Sequence, residues 1–176
     1  TESHHDADAL WRHLKQAGEP FGIDIFGLDA MHIRRIEAGI LNAGSDFDHT
    51  TTPYDVGLGM FVDQHKSDFI GQSALKNAPK ETRLIGILCA AEPHIGAAIM
   101  VDGQTVGKVT AGAMSPYLKQ GIGIALMLES GYPPHTGVSV GCIDGKLHKG
   151  QLAELPLYDK AGAIQRGRLI ELPTRD

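Results

Sequence analysis

Positive charge, cysteine and long apolar runs are all scarce in this chain, and each shortage excludes a class of protein. The formal net charge is −5, from 16 Lys and Arg against 21 Asp and Glu. Because a general nucleic-acid binder usually carries a clustered basic surface, we expect no nucleic-acid partner. No apolar run approaches the roughly 18–20 residues that span a bilayer, and the polar first residues contain no secretory signal. We therefore expect no membrane partner and a cytoplasmic location.

The two cysteines, Cys89 and Cys142, are too few for a disulfide framework. Each lies in an apolar stretch with the pattern of a strand. We interpret both as small buried hydrophobic residues in a reducing cytoplasm, in preference to a redox or metal role.

Metal and phosphate sites are not indicated by any motif. The chain has nine histidines, but His4, His5 and His32 are not spaced like zinc ligands, and no cysteine pair accompanies them. The glycines at 121 and 123 lack the strand–loop–helix context of a phosphate-binding loop. We expect no native metal site.

The first part of the chain mixes helical and extended patterns, and the second part has short strands and tight turns. In order, the first part predicts a helix ending at Gly18, a strand over 21–26, a helix over 30–38, a helix start at Thr52-Pro53, a strand over 57–62 and a helix over 71–77. The polar, proline-containing stretch 77–80 predicts a domain boundary.

Strands are then predicted over 84–89, 98–101, 105–110, 121–128, 137–143, 146–152 and 163–172. Asp102-Gly103 and Asp144-Gly145 each predict a type I′ hairpin turn. This spacing favours a small antiparallel barrel or sandwich.

Three sequence blocks resemble the glycine cleavage T-protein (aminomethyltransferase) family. The helix block, residues 34–53, contains RRIEAGI, GSDFD and TTP. Residues 68–75 contain DFIGQSAL, and the barrel block, residues 106–125, contains VGKVTAG, SPYLK and GIGIA. The blocks occur in the family's order. The resemblance implies an α+β fold: a partial ferredoxin-like α/β folate-binding domain over 1–78, and the family's C-terminal β-barrel over 79–176.

The resemblance also implies a chemistry. Family members bind tetrahydrofolate and take an aminomethyl carbon from a lipoyl carrier protein, releasing ammonia. Related enzymes demethylate sarcosine, dimethylglycine or dimethylsulfoniopropionate. The helix block normally lies in the second half of such proteins, so we expect this chain to be the C-terminal portion of a longer enzyme and to be inactive alone. An apolar face around Leu10, Leu14 and Ile36 predicts self-association, or pairing with a missing N-terminal half.

Four residues are candidate folate-binding groups under this resemblance. Glu2 lies about where the family's pterin-binding Glu falls. Arg35 matches the family's second Arg, although a structural role is favoured, either as a cation that completes the helix macrodipole or in a pair with Glu37 or Asp46. Tyr54 and Arg83 are candidates for ring stacking and for a folate carboxylate, with core-edge and rim positions as the alternatives.

Two departures weaken the match to the aminomethyl-transfer branch. Met31 stands where the family has its first Arg, and Ala43 where it has a Tyr. These changes favour a demethylase, or a non-catalytic binding module that kept the scaffold. Arg34 is expected to face solvent. Asp46 and Asp48 are interpreted as turn residues in preference to acid–base groups.

Overall fold

The structure is a computed structural model that describes residues 4–164 and 166–168. Two compact units are present, one ending at Met31 and one beginning at His32. The helices are α1 His4–Gly18, α2 Leu28–Glu37 and α3 Gln72–Asn77, with 3₁₀ turns at Glu19–Phe21 and Gly59–Phe61. The strands are β1 Leu84–Cys89, β2 Ala98–Val101, β3 Gln104–Ser115, β4 Gln120–Met127, β5 Gly137–Gly141 and β6 Leu147–Ala153.

The first unit confirms the predicted helix but not the predicted strand. Helix α1 ends at Gly18, as expected. The strand over 21–26 is wrong, because these residues complete a 3₁₀ turn and then continue without regular structure or strand pairing. An alternating apolar pattern becomes a strand only where a neighbour takes its backbone groups, and no described strand pairs with this segment. Leu10 and Leu14 are 50% and 55% exposed.

The segment between α2 and the barrel also departs from two predictions. Thr52 and Asp55 exchange hydrogen bonds as in a capping box, but no helix follows. The chain leaves after one turn at Gly57, whose φ of 76° favours glycine. The strand over 57–62 is also wrong. A 3₁₀ turn forms there, and it leaves Met60 83% exposed.

The second unit contains the predicted closed barrel. Its six strands are all paired antiparallel in the order β1-β4-β3-β2-β5-β6, which confirms the α+β fold class. At the β2–β3 hairpin, Asp102 and Gly103 both have positive φ, 49° and 79°. Both central residues of a type I′ turn require this conformation, so that turn is confirmed.

Two predictions at the barrel's C-terminal side are wrong. The turn at Asp144-Gly145 is not type I′, because only Gly145 has positive φ (76°) while the Gly145 N–H donates to the Cys142 carbonyl. This combination is typical of the longer type I turn with a bulge. The strand over 163–172 is not formed at 163–164 and 166–168, which are in turns or irregular, and its remaining residues lie outside the described part.

Two apolar clusters hold this unit together. The first takes residues from every strand, including Ile87, Ile99, Val109, Val140 and Leu152, and fills the barrel interior. The second lies on Ile122 and Ile124 of β4 and includes Ile36 of α2. Ile36 is fully buried, so the expectation that it belongs to an exposed apolar face is wrong.

Candidate functional site

Helix α2 carries the helix block and ends in a cluster of polar residues. Glu37, its last residue, is buried, and Gly39 follows with φ of 67°. That left-handed conformation stops the helix, as the sequence predicted. The chain then turns through 40–48, so charged side chains of α2 and of this loop face the same strands. The candidate site is built from the groups that meet there.

The first polar group joins α2 to the barrel through a buried carboxylate. Asp46 is 1% exposed. Its Oδ2 accepts hydrogen bonds from Arg35 Nη1 at 2.7 Å and from the Asn42 N–H at 2.8 Å. Its Oδ1 accepts from Thr110 Oγ1 at 2.6 Å. Three donors therefore surround one buried carboxylate, and one of the three comes from β3.

A β-bulge places Thr110 in this contact. The register between β3 and β4 shifts between Val109, which pairs with Ala125, and Ala111, which pairs with Ile124. Thr110 is the extra residue on β3, and a bulge of this kind redirects a side chain. The role of Thr110 was missed from the sequence, because a bulge follows from how two strands pair.

The second polar group is centred on Glu37, which is 1% exposed. Glu37 Oε1 accepts from Ser115 Oγ at 2.6 Å, and Oε2 accepts from Arg34 Nη1. Ser115 Oγ in turn accepts the Leu118 N–H at 2.9 Å. Ser115 lies at the end of β3, so the two buried acidic residues of the helix block, Glu37 and Asp46, are both bonded to the barrel block.

An aromatic pair contacts the arginine of this group. The rings of Tyr117 and Tyr158 stack with centroids 5.6 Å apart. The Arg34 guanidinium lies 5.2 Å from the first centroid and 5.5 Å from the second, within cation–π range. Arg34 is 44% exposed, so it faces solvent in part, as expected, but it also packs on both rings. These tyrosines were not recognised from the sequence, since 41 positions separate them.

A cavity of about 360 Å³ opens beside Arg34 and Glu37. Tyr158, Lys160 and Arg166 are also on its wall. The cavity has three cations on its wall, Arg34, Lys160 and Arg166. Two of them already have carboxylate partners, since Arg34 pairs with Glu37 and Lys160 pairs with Glu154 at 3.0 Å. The cavity is therefore polar, with its positive charge largely balanced.

Arg83 lies in a separate ion pair before β1. Its Nε donates to Asp55 Oδ1 at 2.8 Å and its Nη1 to the Met127 carbonyl at 3.2 Å. Burial alone would raise the pKa of Asp55, but hydrogen bonds from Arg83 and Thr52 outweigh it and hold the pKa below its usual value.

Tyr54 lies at the edge of the core, 7% exposed. Its hydroxyl accepts a hydrogen bond from Gln64, and the Lys80 ammonium lies 4.0 Å from the ring centroid. One face of the ring is therefore already covered by a cation.

The four predicted folate-binding residues are not gathered at one place. Glu2 lies outside the described residues. Arg35 is in the Asp46 group, whereas Tyr54 and Arg83 flank Asp55. Each of these three is held by protein partners, and a role in binding folate stays a prediction for all four.

The described part of the chain contains neither a metal-binding cluster nor a membrane-spanning helix. Over residues 4–164 and 166–168, no three His, Cys, Asp or Glu side chains are grouped so as to hold a metal ion. No described helix combines the length and the apolar character that crossing a bilayer requires.

Two family models match the chain. The model described as "GCVT N-terminal domain" matches residues 2–66. The model described as "Glycine cleavage T-protein C-terminal barrel domain" matches residues 82–159. The second match contains all six strands of the barrel.

Curated relatives named aminomethyltransferase are similar over much of the chain. A *Streptomyces avermitilis* protein is 35% identical over 165 residues, covering 87% of this chain and 44% of the relative. A *Geobacillus* protein is 35% identical over 162 residues, covering 89% and 44%. A *Clostridium botulinum* protein is 38% identical over 130 residues, covering 70% and 35%. The chain thus spans less than half the length of these relatives.

A solved structure has the same fold. The glycine cleavage system aminomethyltransferase T from *Bartonella henselae* superposes with a TM-score of 0.74 at 24% identity, covering 89% of this chain and 45% of that one. The two family matches, these relatives and the shared fold agree with the helix and barrel blocks. The chain belongs to the glycine cleavage T-protein family.

Proposed function

We propose that this chain is the C-terminal portion of a tetrahydrofolate-dependent aminomethyltransferase and supplies its scaffold. One observation carries the proposal: both buried carboxylates of the helix block are bonded to the barrel block. Asp46 accepts from Thr110 at 2.6 Å and Glu37 accepts from Ser115 at 2.6 Å. Buried polar groups are stabilising only when they are satisfied, so these two contacts fix how α2 lies on β3.

The residues that matched family ligand positions do not fit a free folate-binding set. Arg35 and Arg83 are both in ion pairs with buried or nearly buried aspartates, and Met31 offers no charge. Folate carries carboxylates and a polar ring, which require unpaired cations and hydrogen-bonding groups. We therefore propose that the groups contacting tetrahydrofolate come mainly from outside residues 4–168. When bound, tetrahydrofolate would accept the one-carbon unit.

A partner and a location follow from this function. We propose a lipoyl carrier protein bearing the aminomethyl group as the donor, because the similar curated relatives are named aminomethyltransferases. We also propose a cytoplasmic location, which the two free cysteines support.

Calorimetric titration with tetrahydrofolate tests the scaffold role. We expect the isolated chain to show no binding with a dissociation constant in the micromolar range, while the full-length *Geobacillus* relative serves as the positive control. Micromolar binding by the chain alone would overturn the proposal.

Activity is tested by ammonia release from an aminomethyl-loaded lipoyl carrier, with the chain alone and with the N-terminal half of the *Geobacillus* relative added. Release that requires both pieces supports the assignment.

The second candidate is a folate-dependent demethylase or a non-catalytic module, and Met31 and Ala43 favour it. Both side chains are exposed, so the core does not require them to be apolar. The same two-piece assay separates the candidates when sarcosine, dimethylglycine or dimethylsulfoniopropionate replaces the lipoyl donor. Methyl transfer identifies a demethylase. Folded, associated pieces without either reaction identify a module.

A further inference from the structure

The chain's two cysteines, 53 positions apart in sequence, meet at one end of the barrel. Cys89 is the last residue of β1, and Cys142 directly follows β5. Their Sγ atoms are 3.7 Å apart. They are 2% and 4% exposed, which confirms the prediction that both are buried. Their proximity could not be predicted from the sequence.

The surroundings make the Cys142 thiol slow to react. Burial, together with the neighbouring thiol, raises the pKa of Cys142 to about 12. The Cys142 thiol lies 3.6 Å from the carbonyl oxygens of Ala91 and Val140, and the Cys89 thiol donates to the Lys149 carbonyl at 3.7 Å. Because the thiolate is the reactive form, oxidation at neutral pH is expected to be slow.

The backbone around both sulfurs is rich in glycine. Cys89 pairs with Gly121 on β4 and with Gly150 on β6, and Gly141 and Gly145 flank the turn that holds Cys142. A disulfide requires an S–S distance of about 2.05 Å, so the sulfurs must approach by under about 2 Å. The space above Gly121 and Gly150 is already filled by the backbone oxygens of Ala91 and Leu88, so the approach must come from rotation of the two cysteine side chains.

A surface cavity lies beside Cys142. It has a volume of about 400 Å³ and is lined by Cys142 together with His94, Lys146 and Leu147. Hydrogen peroxide is close to water in size and fits this space. A bulky thiol reagent does not gain the same access, because Cys142 is only 4% exposed.

We propose that Cys89 and Cys142 form a reversible intrachain disulfide with hydrogen peroxide as the oxidant. One sulfur attacks a peroxide oxygen, the O–O bond breaks, and a sulfenic acid and one water result. The second sulfur then attacks the sulfenic sulfur, the S–O bond breaks, and the released hydroxide takes up the second thiol proton as water. Two thiols and one peroxide thus give one disulfide and two waters. The bond would join the end of β1 to the β5–β6 hairpin.

Peptide mapping tests whether the bond forms in the folded protein. The reduced chain is treated with hydrogen peroxide, blocked with iodoacetamide and digested with trypsin without reduction. We expect peptides 84–108 and 120–146 to be recovered joined, with a mass about 2 Da below their sum, and to separate on reduction. C89S and C142S are matched controls that cannot form the bond, and trapping their sulfenic acid with dimedone shows which sulfur reacts first. Disulfides between chains only would overturn the proposal.

A glutathione redox buffer provides the decisive comparison. The equilibrium effective concentration of the two thiols is measured in the native protein and in 6 M guanidinium chloride, a denaturing concentration. We expect the native value to exceed the denatured value by at least about tenfold, since the fold brings the sulfurs together. Equal values, or a lower native value, would mean that the fold strains the bond, and would overturn the proposal. This comparison needs no variant to fold.

Discussion

Replacing Asp46 by alanine should destabilise the second unit more than any other single change to the loop at 40–48. Asp46 is 1% exposed and accepts three hydrogen bonds, from Arg35, Asn42 and Thr110. Alanine removes the acceptor of all three at once. The Arg35 guanidinium, 14% exposed, would lose its carboxylate, and the Thr110 hydroxyl, on a buried residue, would lose its shortest partner.

The magnitude follows from the ion pair. Removing one partner of a buried pair costs about 3–5 kcal/mol, chiefly because the other charge stays buried and uncompensated. Arg35 keeps some solvent and also donates to the Ile40 carbonyl at 3.2 Å. We therefore expect the lower part of that range, about 3–4 kcal/mol. For a chain of this length, that loss lowers the melting temperature by about 6–16 °C.

Urea unfolding followed by circular dichroism measures the loss, with Asp48→Ala as the matched control. Asp48 lies in the same loop, but its side chain is exposed and accepts only from Thr50. Its replacement should move the midpoint far less. Asp46→Asn should fall between the two, since asparagine keeps one acceptor oxygen and loses the charge.

A double-mutant cycle then tests the contact with the bulge. Thr110→Val keeps the shape and removes the hydroxyl. Combined with Asp46→Ala, it should show a coupling energy of at least about 1 kcal/mol. A coupling near zero, or a loss for Asp46→Ala no larger than for Asp48→Ala, would refute the view that this carboxylate fastens α2 to β3.

Three further predictions concern the core, acid stability and association. Gly112→Ala should lower the free energy of unfolding in urea by about 3 kcal/mol or more, because the added Cβ would lie 1.9 Å from the Pro93 carbonyl oxygen. Gly137→Ala is the control, since a Cβ at that position meets no atom within 4 Å, and equal losses would contradict the steric argument. Burial raises the pKa of Asp55, but hydrogen bonds from Arg83 and Thr52 outweigh it and lower the pKa, so the folded protein gains stability that is present above the unfolded pKa of about 4 and is lost as the pH falls further. Asp55→Asn should therefore flatten the decline of the urea midpoint between neutral pH and a pH of about 3. An unchanged decline would contradict this. Trp11 is 51% exposed, so Trp11→Lys should reduce concentration-dependent association in light scattering, whereas a wild-type chain that is monomeric at every concentration would remove the basis for this prediction.

Predictions from local pattern were correct where one local feature decides the structure. Helix α1 and its end at Gly18 follow from periodicity and a glycine stop. The type I′ turn at Asp102-Gly103 follows from two residues that tolerate positive φ. Three of the six strand pairings, β2–β3, β3–β4 and β5–β6, join strands that are adjacent in sequence, so local pattern predicts about half of the barrel's pairings.

Predictions failed where the outcome depends on a distant partner. The pattern over 21–26 is that of a strand, but no described strand pairs with it. The turn at Asp144-Gly145 contains the same residue pair as the correct hairpin, yet Cys142 and Lys146 pair around it and lengthen the loop. At the candidate site, Asp46 was among the predicted partners of Arg35, 11 positions away, whereas its partner Thr110, 64 positions away, was not predicted.

The contacts of the helix block explain why a sequence match to this block indicates the fold and the family. A carboxylate offers about four acceptor positions, and at Asp46 three donors of the protein itself already use them. Glu37 is likewise bonded to Arg34 and Ser115. Both side chains therefore fasten α2 to the loop and the barrel through contacts within the chain. The block therefore identifies the fold and the family, and its two buried carboxylates are accounted for by contacts within the chain.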